Sequence, residues 1–151
     1  MRDVELVLRY FTFIDTWQDF LGNMKRSMDH YMIDNRRMSQ EKIEELRRDF
    51  LHTLSVVEAC FGEHAFQRWV PERGLWRQPI LASLYDAEMF ACRELTVAKV
   101  LPKKDEIIEG LKDLFQDKDF RKAIDAQTNT PSYFRTRVIK TKEMLHQIVG
   151  E

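Results

Sequence analysis

Apolar residues that recur every three or four positions are the feature that most constrains how this chain can fold. The clearest run begins after Ser39, a good helix N-cap, carries Glu41 in its first turn and ends at Gly62. Its apolar members are Ile43, Leu46, Phe50, Leu54 and Val57. No stretch of useful length alternates apolar and polar residues, and no internal repeat or low-complexity segment occurs. The sequence therefore predicts an all-α fold in which strands are minor or absent.

Caps, glycines and prolines divide the chain into predicted helices. These cover about residues 3–21, 23–36, 40–61, 79–101, 103–115, 117–126 and 131–149. Besides Ser39, the predicted N-caps are Asp3, Asp117 and Thr130. The first helix is apolar over well over half of its helical wheel, so we expect burial on most sides, with a break near Thr12 or Thr16 left open.

The length of the chain sets the expected number of domains. With 151 residues it can bury one sizeable core. We expect residues 1–151 to form a single compact bundle of about six to seven helices. Residues 63–78 contain proline and glycine among aromatic and basic residues, which predicts an ordered loop rather than a flexible linker.

Charge and composition exclude several classes of partner. The 24 basic and 25 acidic residues give a formal net charge of -1, so no field of the whole molecule draws it to nucleic acid or anionic lipid. No apolar run approaches the roughly 20 residues that span a bilayer, and the acidic residues in MRDVELVLRY argue against a signal peptide. We expect a cytoplasmic protein without membrane contact. Cys60 and Cys92 lie far apart with no CxxC pattern, which predicts buried, reduced thiols.

Patterns for catalysis and for cofactor binding are missing from the sequence. The four histidines are scattered, with no HExxH or related pair that would place two metal ligands on one helical face. GxSxG, P-loop and dinucleotide-binding glycine motifs do not occur. Carboxylates at helical spacing are followed by Lys or Arg at compatible offsets, which is typical of solvated ion-pairing faces. The sequence predicts no catalytic residue, no metal and no cofactor.

The helix predicted over residues 131–149 has an excess of basic residues. Its basic residues, opposed by a single glutamate, are Arg135, Arg137, Lys140 and Lys142. Such a helix can lie on phosphates, and the adjacent aromatic rings suit unstacked bases. These four residues are the candidate DNA-binding set. The alternative is that they are ordinary surface charges, with Arg137 partly buried against a carboxylate of the core.

The predicted loop over residues 63–78 combines tryptophan with arginine, the residue types that most often anchor interfaces. The candidate partner-interface residues are Trp69, Arg73, Trp76 and Arg77. The alternative is that this loop packs onto the helices of its own chain. The sequence leaves both alternatives open.

Two stretches of the chain carry a resemblance to one known family. The opening RDVELVLRYFTF and the later FQDKDFRKAIDAQTNTPSYFRTRVIKTKEML resemble the C-terminal, helical part of the GmrSD-type restriction endonuclease N-terminal domain family, whose members carry a ParB/sulfiredoxin-like nuclease-related fold before it. Between them, FLGNMKRSMDHYM, the Phe61-Gly62 pair and a basic aromatic loop keep the order of that family. The positions that match the family pattern are Asp3, Glu5, Arg9, Thr128 and Arg137. The family's Asp-Gly-Gln-Gln-Arg motif and an HNH nuclease segment do not occur.

The resemblance implies a helical piece of a DNA-defence system without its catalytic half. Family members act against foreign, often modified, DNA, so the implied role is a non-catalytic accessory or scaffold domain that binds a catalytic protein partner or a preceding N-terminal domain. Such a role predicts an exposed apolar or aromatic patch on the first helix or on the tryptophan loop. Glu5 and Arg9 are four residues apart and share a helical face, for which we favour an internal ion pair.

Other functions stay open from the sequence alone. The chain can be an autonomous nucleic-acid-binding module that uses the basic last helix. An enzyme in its own right requires a polar pocket with perturbed carboxylates or histidines, which the sequence does not indicate. Association of the chain with a second copy of itself is open as well.

Overall fold

The computed structural model describes residues 2–126 and 129–150. The helices in order are α1 Arg2–Phe13, α2 Met24–Asn35, α3 Gln40–Phe61, α4 Ala82–Cys92, α5 Val97–Val100, α6 Lys104–Leu114, α7 Lys118–Asp125 and α8 Pro131–Val149. Short 3-10 segments cover Trp17–Asp19, Gly62–His64 and Leu101–Lys103, and an antiparallel hairpin joins β1 Trp69–Val70 to β2 Leu75–Trp76. The all-α prediction is confirmed. Within the described ranges, no helix is both long enough and apolar enough to cross a membrane.

Helix α1 is shorter than the sequence predicts. It ends at Phe13 rather than near residue 21, and a 3-10 turn follows. Thr12 and Thr16 each donate the hydroxyl to the carbonyl four residues earlier, at 2.7 and 3.1 Å. This arrangement competes with regular helical bonding and bends the chain. The break left open near these threonines is therefore observed.

Helix α4 is also shorter than predicted. It begins at Ala82 rather than Pro79, because Leu81 is extended and its N–H donates to the carbonyl of Phe66 at 3.0 Å. It ends at Cys92, and the remainder of the predicted helix forms a connection and the four-residue α5.

Helix α4 is the element that the others surround. Its residues from Ser83 to Cys92 are all buried, and α1, α3, α7 and α8 pack against it. One apolar cluster extends around it from α1 to α8, while a single domain over residues 1–151 stays a prediction. The expectation that the first helix is buried on most sides holds for residues 6–13, which are buried or half-buried, but not for residues 2–5, which are exposed and include Val4 at 69%. Since α4 has no face on water, its polar side chains need partners inside the core.

Helix α1 carries two apolar stripes, and the fold covers only one of them completely. The residues on its core side are Leu6, Arg9, Tyr10 and Phe13. The residues of the outer stripe, at three- and four-residue spacing, are Val4, Val7, Leu8 and Phe11. Two stripes on one helix explain why its sequence is apolar nearly all round. The outer stripe lies along grooves that are open to the surface.

Ser39 caps α3 as the sequence predicts, since its Oγ accepts the N–H of Lys42 at 3.1 Å. We expect Ser39→Ala to lower the free energy of unfolding by about 1 kcal/mol, because an N–H of the first turn loses its partner. Urea unfolding followed by circular dichroism measures this change. Ser132→Ala, at an exposed position in the first turn of α8, is the control and should stay within about 0.5 kcal/mol of wild type. Equal effects of the two substitutions would contradict the cap.

Candidate functional site: a buried charge cluster and two surface grooves

Asp86 of α4 lies between two arginines in the core. Arg9 of α1 donates Nε to Oδ1 and Nη2 to Oδ2, both at 2.6 Å. Arg137 of α8 donates Nη2 to Oδ2 at 2.7 Å and Nη1 to the carbonyl of Ala123 at 3.2 Å. The three charged side chains are at most 5% exposed. This buried charge cluster therefore joins α1, α4 and α8.

The buried charge cluster holds two cations and one anion, because guanidinium groups stay protonated in proteins. Burial lowers the pKa of Arg137, and Asp86 offsets this only in part because Arg9 adds a like charge. Burial also acts to lower the pKa of Arg9, yet the combined attraction of Asp86, Glu5 and Tyr85 raises it. Without the Asp86 carboxylate, both guanidinium groups would be buried without a counter-charge.

Glu88 is the second carboxyl group buried on α4. It is fully buried, its Oε2 accepts the N–H of Phe66 at 2.5 Å, and its Oε1 has no bonding partner among the described residues. Burial raises the pKa of Glu88 well above its usual range; the Phe66 N–H opposes this rise and Cys60 adds to it. Phe66 has φ +66°, which is rare for a side chain of this size. Glu88 thus favours its neutral acid form and holds the strained turn before the tryptophan hairpin.

The two cysteines meet in the core. Cys60 Sγ and Cys92 Sγ lie 4.0 Å apart, and both are free and buried. The contact with Cys60 and the burial of the site raise the pKa of Cys92, and a buried thiol of this kind is a poor nucleophile. The predicted burial of both thiols is confirmed. Their separation of 32 residues in the sequence did not predict that they touch.

The four candidate DNA-binding residues of α8 do not form one face. Arg137 is fully buried against Asp86, so it cannot contact a phosphate. The prediction that Arg137 binds DNA is therefore wrong. The partners of the others are the Phe20 carbonyl for Arg135 (3.1 Å), Asp117 for Lys140 (2.7 Å) and Glu94 for Lys142 (3.5 Å). The alternative that placed Arg137 against a carboxylate of the core is the one observed.

The two tryptophans of the candidate partner loop pack against their own chain. Trp69 and Trp76 are cross-strand neighbours with ring centroids 5.1 Å apart. Lys112 Nζ lies 4.5 Å from the centre of the Trp69 ring, and His64 stacks on Trp76 at 4.3 Å. The exposed members of the candidate set are Arg73 and Arg77. Packing within the chain accounts for the position of both rings.

The positions that match the family pattern divide between core and surface. Arg9 and Arg137 belong to the buried charge cluster, whereas Asp3 and Glu5 are exposed on α1. Thr128 lies outside the described residues. The expected ion pair between Glu5 and Arg9 is wrong, because Nε and Nη2 of the arginine bind the carboxylate of α4. Glu5 acts on Arg9 only at longer range, by helping to raise its pKa.

A groove of about 730 Å³ between α6 and α8 is strongly acidic. Its carboxylates are Asp105, Glu106, Glu109, Asp113, Asp117 and Glu143. Lys140, which also lines it, is paired with Asp117 at 2.7 Å. In the part of the chain that the structure describes, no group of His, Cys, Asp or Glu side chains is arranged to hold a metal ion. The negative charge of this acidic groove opposes the approach of nucleic acid to the side of α8 that carries Lys140.

A second groove, between α1, α2 and α3, is apolar and open to the surface. Its volume is about 620 Å³, and the side chains that line it include Val7, Phe11, Met32, Ile43, Phe50 and Leu51. A smaller depression of about 380 Å³ adjoins it along the outer stripe of α1 and shares Val7 and Met32. Met32 and Leu51 are each 51% exposed. We call this continuous surface the apolar groove.

The buried carboxylates of α4 are the residues that sequence analysis missed. A signal for them exists, since no Lys, Arg or His lies within four residues of Asp86 or Glu88. A carboxylate on a surface helix commonly has such a partner three or four residues away. When a carboxylate inside an apolar segment lacks such a basic neighbour, we expect the carboxylate to be buried and its partner to be distant in the sequence.

Comparisons with known proteins return no match: no protein-family model, no curated protein and no solved structure matches this chain. The GmrSD-type relationship inferred from the sequence stays a prediction. Functional conclusions therefore depend on the geometry of the two grooves and of the buried charge cluster.

Asp86→Asn keeps the shape of the side chain but removes the charge between the two arginines. We expect it to lower the free energy of unfolding by about 3 to 5 kcal/mol, because two buried guanidinium groups lose their counter-charge. Urea unfolding measures this change. Asp34→Asn, at an exposed position on α2, is the control and should change stability by less than about 0.5 kcal/mol. A loss below about 1 kcal/mol for Asp86→Asn would contradict the structural role of the cluster.

Glu88 makes stability depend on pH. Because burial raises its pKa above the unfolded-state value of about 4.3, the folded protein holds this proton more tightly than the unfolded chain. Its contribution is complete below the unfolded-state pKa and is lost as pH rises through the folded-state pKa, by up to about 1.4 kcal/mol per pH unit. Glu88→Gln does not titrate, so its stability relative to wild type should increase from about pH 5 to about pH 8.

Urea unfolding at the two pH values tests this expectation. Glu58→Gln, at an exposed position on α3, is the matched control and should follow the wild-type pH dependence. A Glu88→Gln variant that also follows wild type at both pH values would show that the pKa of Glu88 is not raised.

Proposed function

We propose that this chain is a non-catalytic helical accessory domain that binds another protein through the apolar groove. The observation that carries this proposal is that the outer stripe of α1 and the facing sides of α2 and α3 leave apolar side chains in contact with water. Val4, Met32 and Leu51 are 69%, 51% and 51% exposed. A contiguous exposed apolar surface rimmed by polar residues is typical of interaction sites.

The floor of the apolar groove is held in place by the core. The rings of Phe11 and Phe50 lie 5.9 Å apart, and each contacts the ring of Tyr10 edge to face. The Tyr10 hydroxyl donates to Asp49 at 2.7 Å and lies 3.0 Å from the hydroxyl of Thr53. A surface fixed in this way loses little conformational entropy when a partner binds. The groove is therefore suited to binding without rearrangement.

The buried ionisable groups favour a structural role over a catalytic one. Asp86, Glu88 and Arg137 are 0% exposed, so a substrate cannot reach them. They stabilise the packing of α1, α4 and α8 and the turn before the hairpin. The perturbed pKa values of Glu88 and Arg137 follow from burial rather than from a catalytic cleft.

The sequence resemblance indicates the class of protein to which we expect the partner to belong. Parts of the chain resemble the helical part of the GmrSD-type family, while the Asp-Gly-Gln-Gln-Arg motif does not occur in it. We therefore propose as partner a DNA-processing protein of a cytoplasmic defence system, or a domain of such a protein. Autonomous nucleic-acid binding by α8 receives no support from the geometry, since Arg137 is buried and Lys140 lines the acidic groove.

Leu51→Glu tests binding through the apolar groove. The side chain is 51% exposed, so the fold tolerates the change, and Leu101→Glu, 52% exposed and outside the groove, is the matched control. We expect the tagged wild type and the control to recover the partner from native cells, while Leu51→Glu recovers at least about tenfold less, because burying an unpaired charge is unfavourable. Quantitative mass spectrometry measures the recovery.

The identity of the recovered molecule separates the alternatives. A protein that carries Asp-Gly-Gln-Gln-Arg would support the defence-system setting. Equal recovery by Leu51→Glu and Leu101→Glu would contradict binding through the apolar groove. Recovery of nucleic acid that falls steeply with salt would favour the autonomous binder instead.

A further inference from the structure

We propose that the occupant of the apolar groove is an amphipathic α-helix of the partner protein whose polar flank is acidic. This inference rests on the proposed function and names the structural class and the charge of the bound segment. Three features of the groove support it: the backbone of its walls, the spacing of its apolar residues and the charge at its rim.

The walls of the apolar groove are α-helices, which favours a helical occupant over an extended one. Apart from the terminal turns, the backbone N–H and C=O groups of α1, α2 and α3 are bonded within each helix. The groove therefore offers no strand edge to which an extended peptide could add. A helix instead contributes ridges of side chains, which pack into the furrow between neighbouring helices.

The apolar residues of the two long walls repeat at helical spacing. They are Val4, Val7 and Phe11 on α1, and Ile43, Leu46 and Phe50 on α3. Each set extends over about 10 Å of helix axis at 1.5 Å per residue. A bound helix can therefore place apolar residues at positions i, i+3 or i+4 and i+7 against both walls. Its remaining positions face the rim and the solvent.

The larger part of the apolar groove has a positive charge at its rim. Among the described residues, Arg47 is the charged one that lines this part, whereas the smaller depression is lined by one carboxylate, Asp3. Its Nε lies 3.9 Å from Glu44, with the two side chains 65% and 45% exposed, and an exposed pair at this distance interacts weakly.

Further charges lie beside the groove where α2 is joined to α3. Arg36 and Arg37 are exposed in this connection, and the exposed Asp34 precedes them on α2, so these three side chains carry a net charge of +1. Carboxylates on the flank of a bound helix complement these charges, whereas lysines oppose them.

Two synthetic peptides test the charge of the occupant. Both have about 18 residues, are held helical by a covalent staple, and carry leucine at i, i+3, i+4 and i+7. One peptide has glutamate on its flanks and the other has lysine. Fluorescence anisotropy with the full chain measures each Kd at low and at high salt. Binding that persists in Leu51→Glu occurs outside the apolar groove, as when the lysine peptide binds the acidic groove. This binding is subtracted from the binding measured with the wild type.

We expect the glutamate peptide to bind at least about fivefold more tightly than the lysine peptide at low salt, with a smaller preference at high salt. Arg47→Glu should remove or reverse this preference. Arg48→Glu, exposed on the same helix but not lining the apolar groove, is the matched control and should keep it. Equal binding of the two peptides, or tighter binding of the lysine peptide, would overturn the acidic occupant and leave the proposed function standing.

Two further outcomes are decisive. If neither peptide binds in a way that depends on Leu51, the helical occupant is overturned, and the recovery experiment judges the proposed function separately. If sedimentation equilibrium shows a dimer that Leu51→Glu dissociates and Leu101→Glu does not, a second copy of this chain occupies the groove. That result would overturn a helix of a different protein as the occupant.

Discussion

Asp86 attracts two guanidinium groups that come from helices 77 and 51 residues away in the sequence. Taking such charges out of water costs several kcal/mol per ion, which their attraction offsets only when the geometry is good and the remaining donors find acceptors. The bidentate contact with Arg9 supplies the good geometry, and the Ala123 carbonyl accepts one further donor of Arg137. The resulting gain is specificity, because a packing in which α1 or α8 shifts by one turn would leave a buried charge without its partner.

The apolar groove depends on this ion pairing through α1. Arg9 and Phe11 are two residues apart and therefore point to sides of the helix about 200° apart. Arg9 fixes the inner side of α1 to α4, and Phe11 presents the outer side to the groove. The same helix thus supplies a core contact and a wall of the groove. The shape of the surface that we propose as a docking site is set by an interaction that the partner never touches.

Features that depend on local sequence were predictable, and features that depend on distant partners were not. Ser39 caps α3, and Asp117 caps α7 by accepting two N–H groups at 2.9 and 3.1 Å, because a cap needs only its own first turn. The other two predicted caps are wrong, since Asp3 lies inside α1 and the side chain of Thr130 accepts no N–H of α8. The helical wheel of α1 did not indicate its exposed side, since a wheel with two apolar stripes resembles that of a buried helix. The partners of Asp86 were missed because pairing across 77 residues leaves no periodic trace. An exposed apolar patch was expected on α1 or on the tryptophan loop, but a groove was not, since its other walls arise from tertiary packing.

The order of Asp86 and Arg137 in the chain bears on how the protein is made. At about 5 to 20 residues per second, the ribosome needs about 3 to 10 seconds to add the 51 residues that follow Asp86 up to Arg137. During that time α4 lacks the cover of α8, and its apolar side chains are open to other molecules. Apolar surface that is exposed in this way favours aggregation, which chaperones counter. The core around α4 closes only after α8 has been synthesised and has left the exit tunnel, rather than helix by helix.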